Sequence, residues 1–187
     1  MAHTLNDVLL HPGGEEVAPD SVAHKSVWSS APEGGDQKGN VWPAEWERCR
    51  DSLTGKEVTR FTSSRATDQH PYFTGSAMTK DGRRLVFISD RTGNPHLFTQ
   101  DARNGEILQL TDNRFGVLRQ YVFPWGNMVG FGKSSVCLNA ATGHVYYVQG
   151  HQVRRVDAYT AEEVCIAELP PGYVTAFTHV STDDRLL

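Results

Sequence analysis

The sequence predicts an all-β protein, a β-propeller fragment of two to three four-stranded antiparallel blades. Residues 72–111 carry a complete four-strand pattern, and pieces of the same pattern lie before and after it. No segment shows helical periodicity over a convincing length. Because a sheet with two apolar faces cannot bury them alone, the repeated sheets must stack, and stacking around an axis makes a propeller.

The first half of the central unit is predicted to hold two strands and a tight turn. We expect the inner strand over residues 72–78, where Tyr, Phe and Thr favour extended backbone and small residues suit a crowded axis. Residues 79–82 end in Asp-Gly, which supplies the positive φ of a hairpin turn. Leu85–Ile88 is apolar on both faces, which predicts a covered sheet rather than a single-sided hairpin.

The second half of the unit repeats this arrangement. Residues 89–95 form a turn with Gly, Asn and Pro, and residues 96–100 form the third strand. A second turn over 101–105 ends in Asn-Gly, and the outer strand covers 106–111.

Copies of the outer turn and strand identify neighbouring blades. Asp51–Thr62 matches Asp101–Thr111, since both place Gly four residues after Asp and end an apolar strand in Thr. A third copy, Asp157–Val164, has Ala161 in place of the glycine. The aspartates lie 50 and 56 residues apart, somewhat above the usual spacing of about 40 to 50 residues, which loop insertions would explain.

The remaining strands are predicted from the same pattern. Residues 146–149 and 152–156 flank a Gly-His hairpin turn, and residues 175–180 are a new inner strand. Residues 181–184 take the place of 79–82, and Arg185–Leu187 begins the strand that Arg84 begins earlier. Because this would end the chain within a strand, we expect the natural polypeptide to continue.

Composition separates two regions and narrows the class of protein. Residues 1–40, rich in Gly, Pro, Ser and charge, are predicted to be disordered or loosely packed, and 41–187 to be the partial propeller. The net charge of −4 argues against nucleic acid as a partner. No apolar run would span a membrane and no signal peptide is recognisable. Three cysteines without paired spacing favour the reducing cytoplasm.

Several familiar motifs are absent or incomplete. Phe131–Ser134 resembles the end of a phosphate-binding loop but lacks the earlier glycine, and a strand rather than a helix follows it. The histidines form no H-x-H or H-E-x-x-H metal motif, and there is no G-x-S-x-G nucleophile elbow. We interpret His24, His144 and His151 as loop or turn residues.

Two residues are candidates for a ligand site. His70 precedes the predicted inner strand, and inner strands line the central channel of a propeller; a histidine packed at a strand entrance is the more conservative interpretation. Arg91 follows a predicted core strand beside Asp90, where a blade-stabilising ion pair or a turn cap is the alternative interpretation.

Together, these segments resemble the oligogalacturonate lyase family. The resemblance rests on the Trp42–Trp46 run, on Asp51–Thr62, on His70 with the following Tyr-Phe, and on Asp81–Gly93. It implies a seven-bladed cytoplasmic propeller whose substrate is an acidic oligosaccharide. That substrate is a short galacturonate oligomer derived from pectin, and the enzyme cleaves it by β-elimination. It also implies a divalent metal, typically manganese, held by histidines and a glutamine in later blades, with a histidine base and an arginine nearby.

On this resemblance, His70 would contact substrate near the channel, and Arg91 is a weaker candidate for binding the acidic sugar. The metal and base residues would lie beyond this chain, so we expect this chain alone to be inactive. Two alternatives remain open: a TolB-like propeller that binds protein partners, and the propeller of a serine peptidase. The sequence downstream of Leu187 would separate the three classes. A cluster of His with a Gln favours the lyase, further plain repeats favour the protein-binding propeller, and a G-x-S-x-G motif favours the peptidase.

Overall fold

The computed structural model of the chain describes residues 37–112, 135–149, 152–170 and 177–187. These residues form strands and turns with no α-helix among them, which confirms the all-β prediction. No helix in these ranges is long and apolar enough to cross a bilayer. The strands are β1 (Val41–Trp42), β2 (Glu47–Arg50), β3 (Glu57–Arg60), β4 (Asp68–Gln69), β5 (Arg84–Ser89), β6 (His96–Asp101), β7 (Ile107–Gln109), β8 (Val136–Leu138), β9 (His144–Gln149), β10 (Gln152–Asp157) and β11 (Glu163–Glu168).

The predicted boundary at residue 40 lies mostly outside the described residues, so the loose packing of the N-terminal segment stays a prediction. Residues 37–40 are described and form a turn, in which the Asn40 amide donates to the Gln37 carbonyl. The Gly39 amide donates to the Gln109 carbonyl at 2.9 Å, so this turn is hydrogen-bonded to the end of β7.

The first blade is a five-stranded sheet in the order β1-β7-β6-β5-β4. Antiparallel pairing sets Phe87 opposite Phe98 and Thr99 opposite Leu108, as expected for consecutive strands. β1 was not predicted; it covers the outer edge of β7, with Val41 opposite Leu108. An outer strand therefore has a partner from earlier in the chain.

The inner strand of the first blade is interrupted, and its prediction over residues 72–78 is wrong in extent. β4 pairs with the end of β5, and Met78 forms one bridge with Leu85. Between them residues 70–76 leave the sheet; we call this segment the inner-strand excursion. It turns back on itself through a 3.1 Å hydrogen bond from the Gly75 amide to the Tyr72 carbonyl.

The first blade is covered on both faces, as its apolar strands predict. One face packs Val86, Ile88 and Leu97 against Val145 and Tyr147 of the second blade. On the other face, Phe87, Phe98 and Ile107 form a smaller cluster with Trp42. Full burial of a large apolar side chain contributes about 1.5–3 kcal/mol, so the contact between the two blades is a principal source of stability.

The second blade is a four-stranded sheet in the order β11-β10-β9-β8. Gln149 pairs with Gln152, so β9 and β10 are joined as a hairpin, while the predicted Gly-His turn between them lies outside the described residues. Val153 pairs with Ala167 and Arg154 with Cys165, so Ile166 is an extra residue that forms a bulge in β11. At the edge of this sheet, β11 is largely exposed.

One turn geometry recurs four times in the described chain. In each copy, the amide four residues after an Asp or Asn donates to its carbonyl, and the Asx amide donates to the carbonyl five residues on. Three copies begin at the predicted Asp51, Asp101 and Asp157, with φ of 68°, 80° and 61° at their fifth residue. The fourth begins at Asn139 and was not predicted.

The turn after the inner strand also recurs, as predicted. Thr79 receives an amide hydrogen bond from Gly82 at 2.8 Å, and Ser181 receives the equivalent bond from Asp184 at 3.0 Å. These bonds align Arg185 with Arg83 rather than with Arg84, which corrects the predicted register by one residue. Residues 177–180 and 185–187 form no strand, and 175–176 lie outside the described residues.

Candidate functional site

His70 opens the inner-strand excursion and is exposed. The adjoining β4 pairs Asp68 with Ser89 and Gln69 with Ile88, so the backbone is anchored immediately before His70. Its Nδ1 lies 2.5 Å from the carbonyl oxygen of Pro71. The imidazole thus sits at a fixed point where the chain leaves the sheet, with its other nitrogen available for a ligand.

Aromatic rings cluster beside this point. Tyr72 and Phe73 have centroids 4.4 Å apart, and Phe177 meets Tyr72 edge-on at 5.4 Å. Phe73 is 74% exposed and Phe177 is 49% exposed. These two are the aromatic members among the large hydrophobic side chains that stand exposed in the described residues. Residues about a hundred positions apart therefore build one surface, which we call the aromatic platform.

A cavity opens beside the aromatic platform. It lies between the inner-strand excursion, β8 and residues 177–179, and thus between parts of the chain that belong to three successive repeats. Ser76, Cys137 and His179 contribute to its wall together with the Tyr72 and Phe177 rings. No acidic residue lines it in the described part of the chain, although the sequence holds 22 Asp and Glu.

Arg91 occupies a different environment from His70. Its guanidinium pairs with Glu45 at 2.9 Å and Asp68 at 3.1 Å, and its side chain is only 6% exposed. It also lies over the rings of Phe87 and Phe98, 5.1 and 5.2 Å from their centroids. No contact joins it to His70 in the described residues. This geometry favours the alternative interpretation, a stabilising ion pair, and substrate binding by Arg91 stays a prediction.

Carboxylates also join the blades. Tyr159 of the second blade donates its hydroxyl to Asp81 of the first at 2.9 Å. His144 Nδ1 lies 2.7 Å from Asp184 Oδ2, which corrects the interpretation of His144 as a loop residue, since it begins β9. Burial opposes ionisation of Asp184, but hydrogen bonds from His144, Asn139 and Thr142 outweigh it and lower its pKa. Sequence reasoning missed these pairs because their partners lie far apart along the chain.

Two buried titratable groups are held in their neutral forms. Burial lowers the pKa of His96 to about 4. Burial, assisted by the charge of Asp184, raises the pKa of the Cys137 thiol to about 12. Neither group is therefore suited to act as a proton-transfer residue or nucleophile near neutral pH.

The described residues do not fit a metal. No three His, Cys, Asp or Glu side chains within these ranges approach closely enough to hold an ion. His179, which lines the cavity, has no carboxylate beside it in the described part of the cavity wall. We therefore derive no chemical step through a metal from this chain.

The stacked antiparallel sheets, their repeated turns and the cavity at their inner ends define a group of β-propeller blades. No protein-family model matches the chain. An oligogalacturonide lyase of Pectobacterium atrosepticum is 29% identical over 152 residues, and an oligogalacturonate lyase of Dickeya dadantii is 28% identical over the same length. Each match covers 79% of this chain and 34% of the relative, so the chain spans about a third of their length.

Solved structures agree with these relatives. An oligogalacturonate lyase in complex with manganese matches with a TM-score of 0.61 and 25% identity over 79% of this chain and 36% of its own. An oligogalacturonate lyase of Vibrio parahaemolyticus has the same fold, with a TM-score of 0.52 and 24% identity over 72% and 32% of the two chains. This chain resembles oligogalacturonate lyases in sequence and fold, as its motifs predict.

Proposed function

We propose that this chain forms consecutive blades of an oligogalacturonate lyase, which cleaves short galacturonate oligomers in pectin breakdown by β-elimination. The observation that carries the proposal is the joint sequence and structural similarity to lyases over 79% of the chain. The reaction removes a proton α to a carboxylate, and it therefore needs a base and a cation near that carboxylate. A divalent metal, manganese in the structural relative, would be that cation. Residues outside those described here would hold it.

The role of this chain in the reaction is to position the acidic sugar. His70 is exposed at the inner end of the first blade, where its imidazole can donate a hydrogen bond to a substrate hydroxyl or carboxylate. Arg91 supports this region through Asp68, which lies two residues before His70. A place in the cytoplasm is consistent with three free cysteines, two of them exposed.

A chimera tests the proposal. Residues 37–187 would replace the matching third of the Dickeya dadantii enzyme, and digalacturonate would be supplied with manganese. We expect the ultraviolet absorbance of the unsaturated product from the chimera and none from the 187-residue chain alone. The His70→Ala chimera should show a raised KM, whereas Leu53→Ala, a change at a 94% exposed turn position, should not. A folded chimera without product would contradict the proposed function.

A further inference from the structure

The aromatic platform has a location and composition that burial in the blade core does not explain. Phe73 projects from the inner-strand excursion, and the segment 177–179 brings Phe177 to it through Tyr72. Exposing two phenylalanine rings is unfavourable in water, and contiguous exposed apolar surface commonly marks a binding site. Other exposed hydrophobic residues, such as Leu53 at a turn and Val164 on β11, lie on different elements.

The backbone that carries Phe73 also departs from the regular strand pairing of a blade. An uninterrupted inner strand would continue from β4 through Met78 and keep its ladder of hydrogen bonds. Instead residues 70–76 leave the ladder, and only Asp68–Gln69 and the Met78 bridge remain paired. The excursion carries the exposed Phe73 together with the hydroxyls of Thr74 and Ser76, which share the cavity wall.

Polar groups around the rings suit a hydroxylated anion. Thr74, Ser76 and His179 line the cavity with Tyr72 and Phe177, and no acidic side chain from the described residues accompanies them. Thr178, also in the wall, is 8% exposed, and its hydroxyl has no hydrogen-bond partner among the residues that the structure describes. In a chain with net charge −4, a surface free of carboxylates avoids repulsion of an anion.

We propose that Phe73 and Phe177 form a stacking subsite for one uronate ring of an acidic oligosaccharide. The apolar C–H face of the sugar lies on the rings, while the Thr74 hydroxyl and the His179 imidazole bond its hydroxyl and carboxylate groups. The Ser76 hydroxyl donates its proton to the Met78 carbonyl at 2.8 Å, so toward the sugar it acts only as an acceptor from a hydroxyl. The choice of a uronate rests on the proposed function; the stacking surface rests on the exposure of the two rings and their contacts with Tyr72. The cavity has room for a single water-sized group, so it takes one hydroxyl of the sugar, and the sugar ring occupies the open surface beside it.

Titration of the 187-residue chain with trigalacturonate, followed by calorimetry, tests this subsite. Loss of an aromatic contact of about 0.5–1.5 kcal/mol corresponds to roughly two- to tenfold weaker binding. We expect that reduction for both Phe73→Ala and Phe177→Ala, with no change for the matched control Leu53→Ala. Neutral galactotriose should bind more weakly than trigalacturonate to the unmodified chain.

The outcomes separate the subsite from the proposed function. Unchanged trigalacturonate binding in both phenylalanine variants would overturn the subsite while leaving the chimera assay as the test of function. Equal or stronger binding of galactotriose, still dependent on the rings, would support the stacking surface but overturn its uronate preference. No binding of either sugar by a folded chain would overturn the subsite. Unfolding curves identify any variant whose stability has changed, and a ring whose removal lowers stability without weakening binding is a packing residue.

Discussion

At the level of single residues, the arginine after β5 shows how a side chain of ambiguous role is decided by its surroundings. Arg91 is enclosed by two carboxylates and two aromatic rings from four elements or loops of the chain. Glu45 in turn accepts the amides of Ser63 and Ser64 at 3.2 Å. One guanidinium therefore links the segment around β2 and β3 to the first blade.

We expect Arg91→Ala to lower the free energy of unfolding by about 3–5 kcal/mol, since it leaves two shielded carboxylates without their cation. Arg103→Ala is the matched control, because its ion pair with Asp101 is made by a 64% exposed side chain and should contribute less than about 1 kcal/mol. Urea unfolding followed by circular dichroism measures both. Weakened sugar binding by Arg91→Ala with undiminished stability would instead support the predicted substrate contact.

At the level of elements, the recurring Asx turn sets the spacing of the strands. The side chain of Asp51, Asp101 or Asp157 accepts a backbone amide two or three residues on, which fixes the turn before the next strand begins. The fifth position then requires positive φ, which glycine adopts without strain. At Ala161 an alanine adopts φ 61° and its side chain is buried in the main apolar cluster.

Two of these glycines differ in what surrounds them, so replacing each by alanine should lower the free energy of unfolding by different amounts. An added Cβ at Gly55 meets nothing within 4 Å, so Gly55→Ala should cost only the left-handed backbone, about 1–2 kcal/mol. At Gly105 the Cβ would lie 2.5 Å from the Trp46 ring and 2.7 Å from the Ala44 Cβ, which adds about 1–3 kcal/mol of overpacking. Urea unfolding should give Gly105→Ala a clearly lower free energy of unfolding than Gly55→Ala. Equal losses of unfolding free energy in the two variants would refute this account of the turn.

At the level of the whole chain, the two blades differ at their outer edges. β1 covers β7 in the first blade, but β11 stands at the edge of the second with no further strand among the described residues. Val164 and Ile166 on β11 are 42% and 43% exposed. An exposed edge strand with apolar side chains is a template for association.

We therefore expect the 187-residue chain to associate as its concentration rises, as measured by sedimentation velocity. Replacing Val164 and Ile166 together by Lys should reduce the association, because charge on an edge strand discourages pairing. Leu53→Lys, at a 94% exposed turn, provides the control and should leave it unchanged. A monodisperse monomer at every concentration would contradict the edge interpretation.

The sequence by itself determined the fold class, the strands β5, β6, β7, β9 and β10, and three of the four Asx turns. Those features are local: apolar alternation marks strands, and Asp followed by Gly marks turns within five residues. The fourth turn escaped because it begins with Asn139 and its strand pattern is short. The broken inner strand escaped because Tyr, Phe and Thr favour extended backbone wherever they occur.

Only the tertiary structure decided which distant residues meet. It joined Tyr72 to Phe177, Arg91 to Glu45 and His144 to Asp184, none of which the spacing along the chain indicates. The physical reason is that side-chain contacts between blades depend on how sheets stack, whereas strand and turn propensities act over a few neighbouring residues. The chain pattern thus predicted propeller blades and the resemblance to lyases, while the stacking of those blades created the aromatic platform.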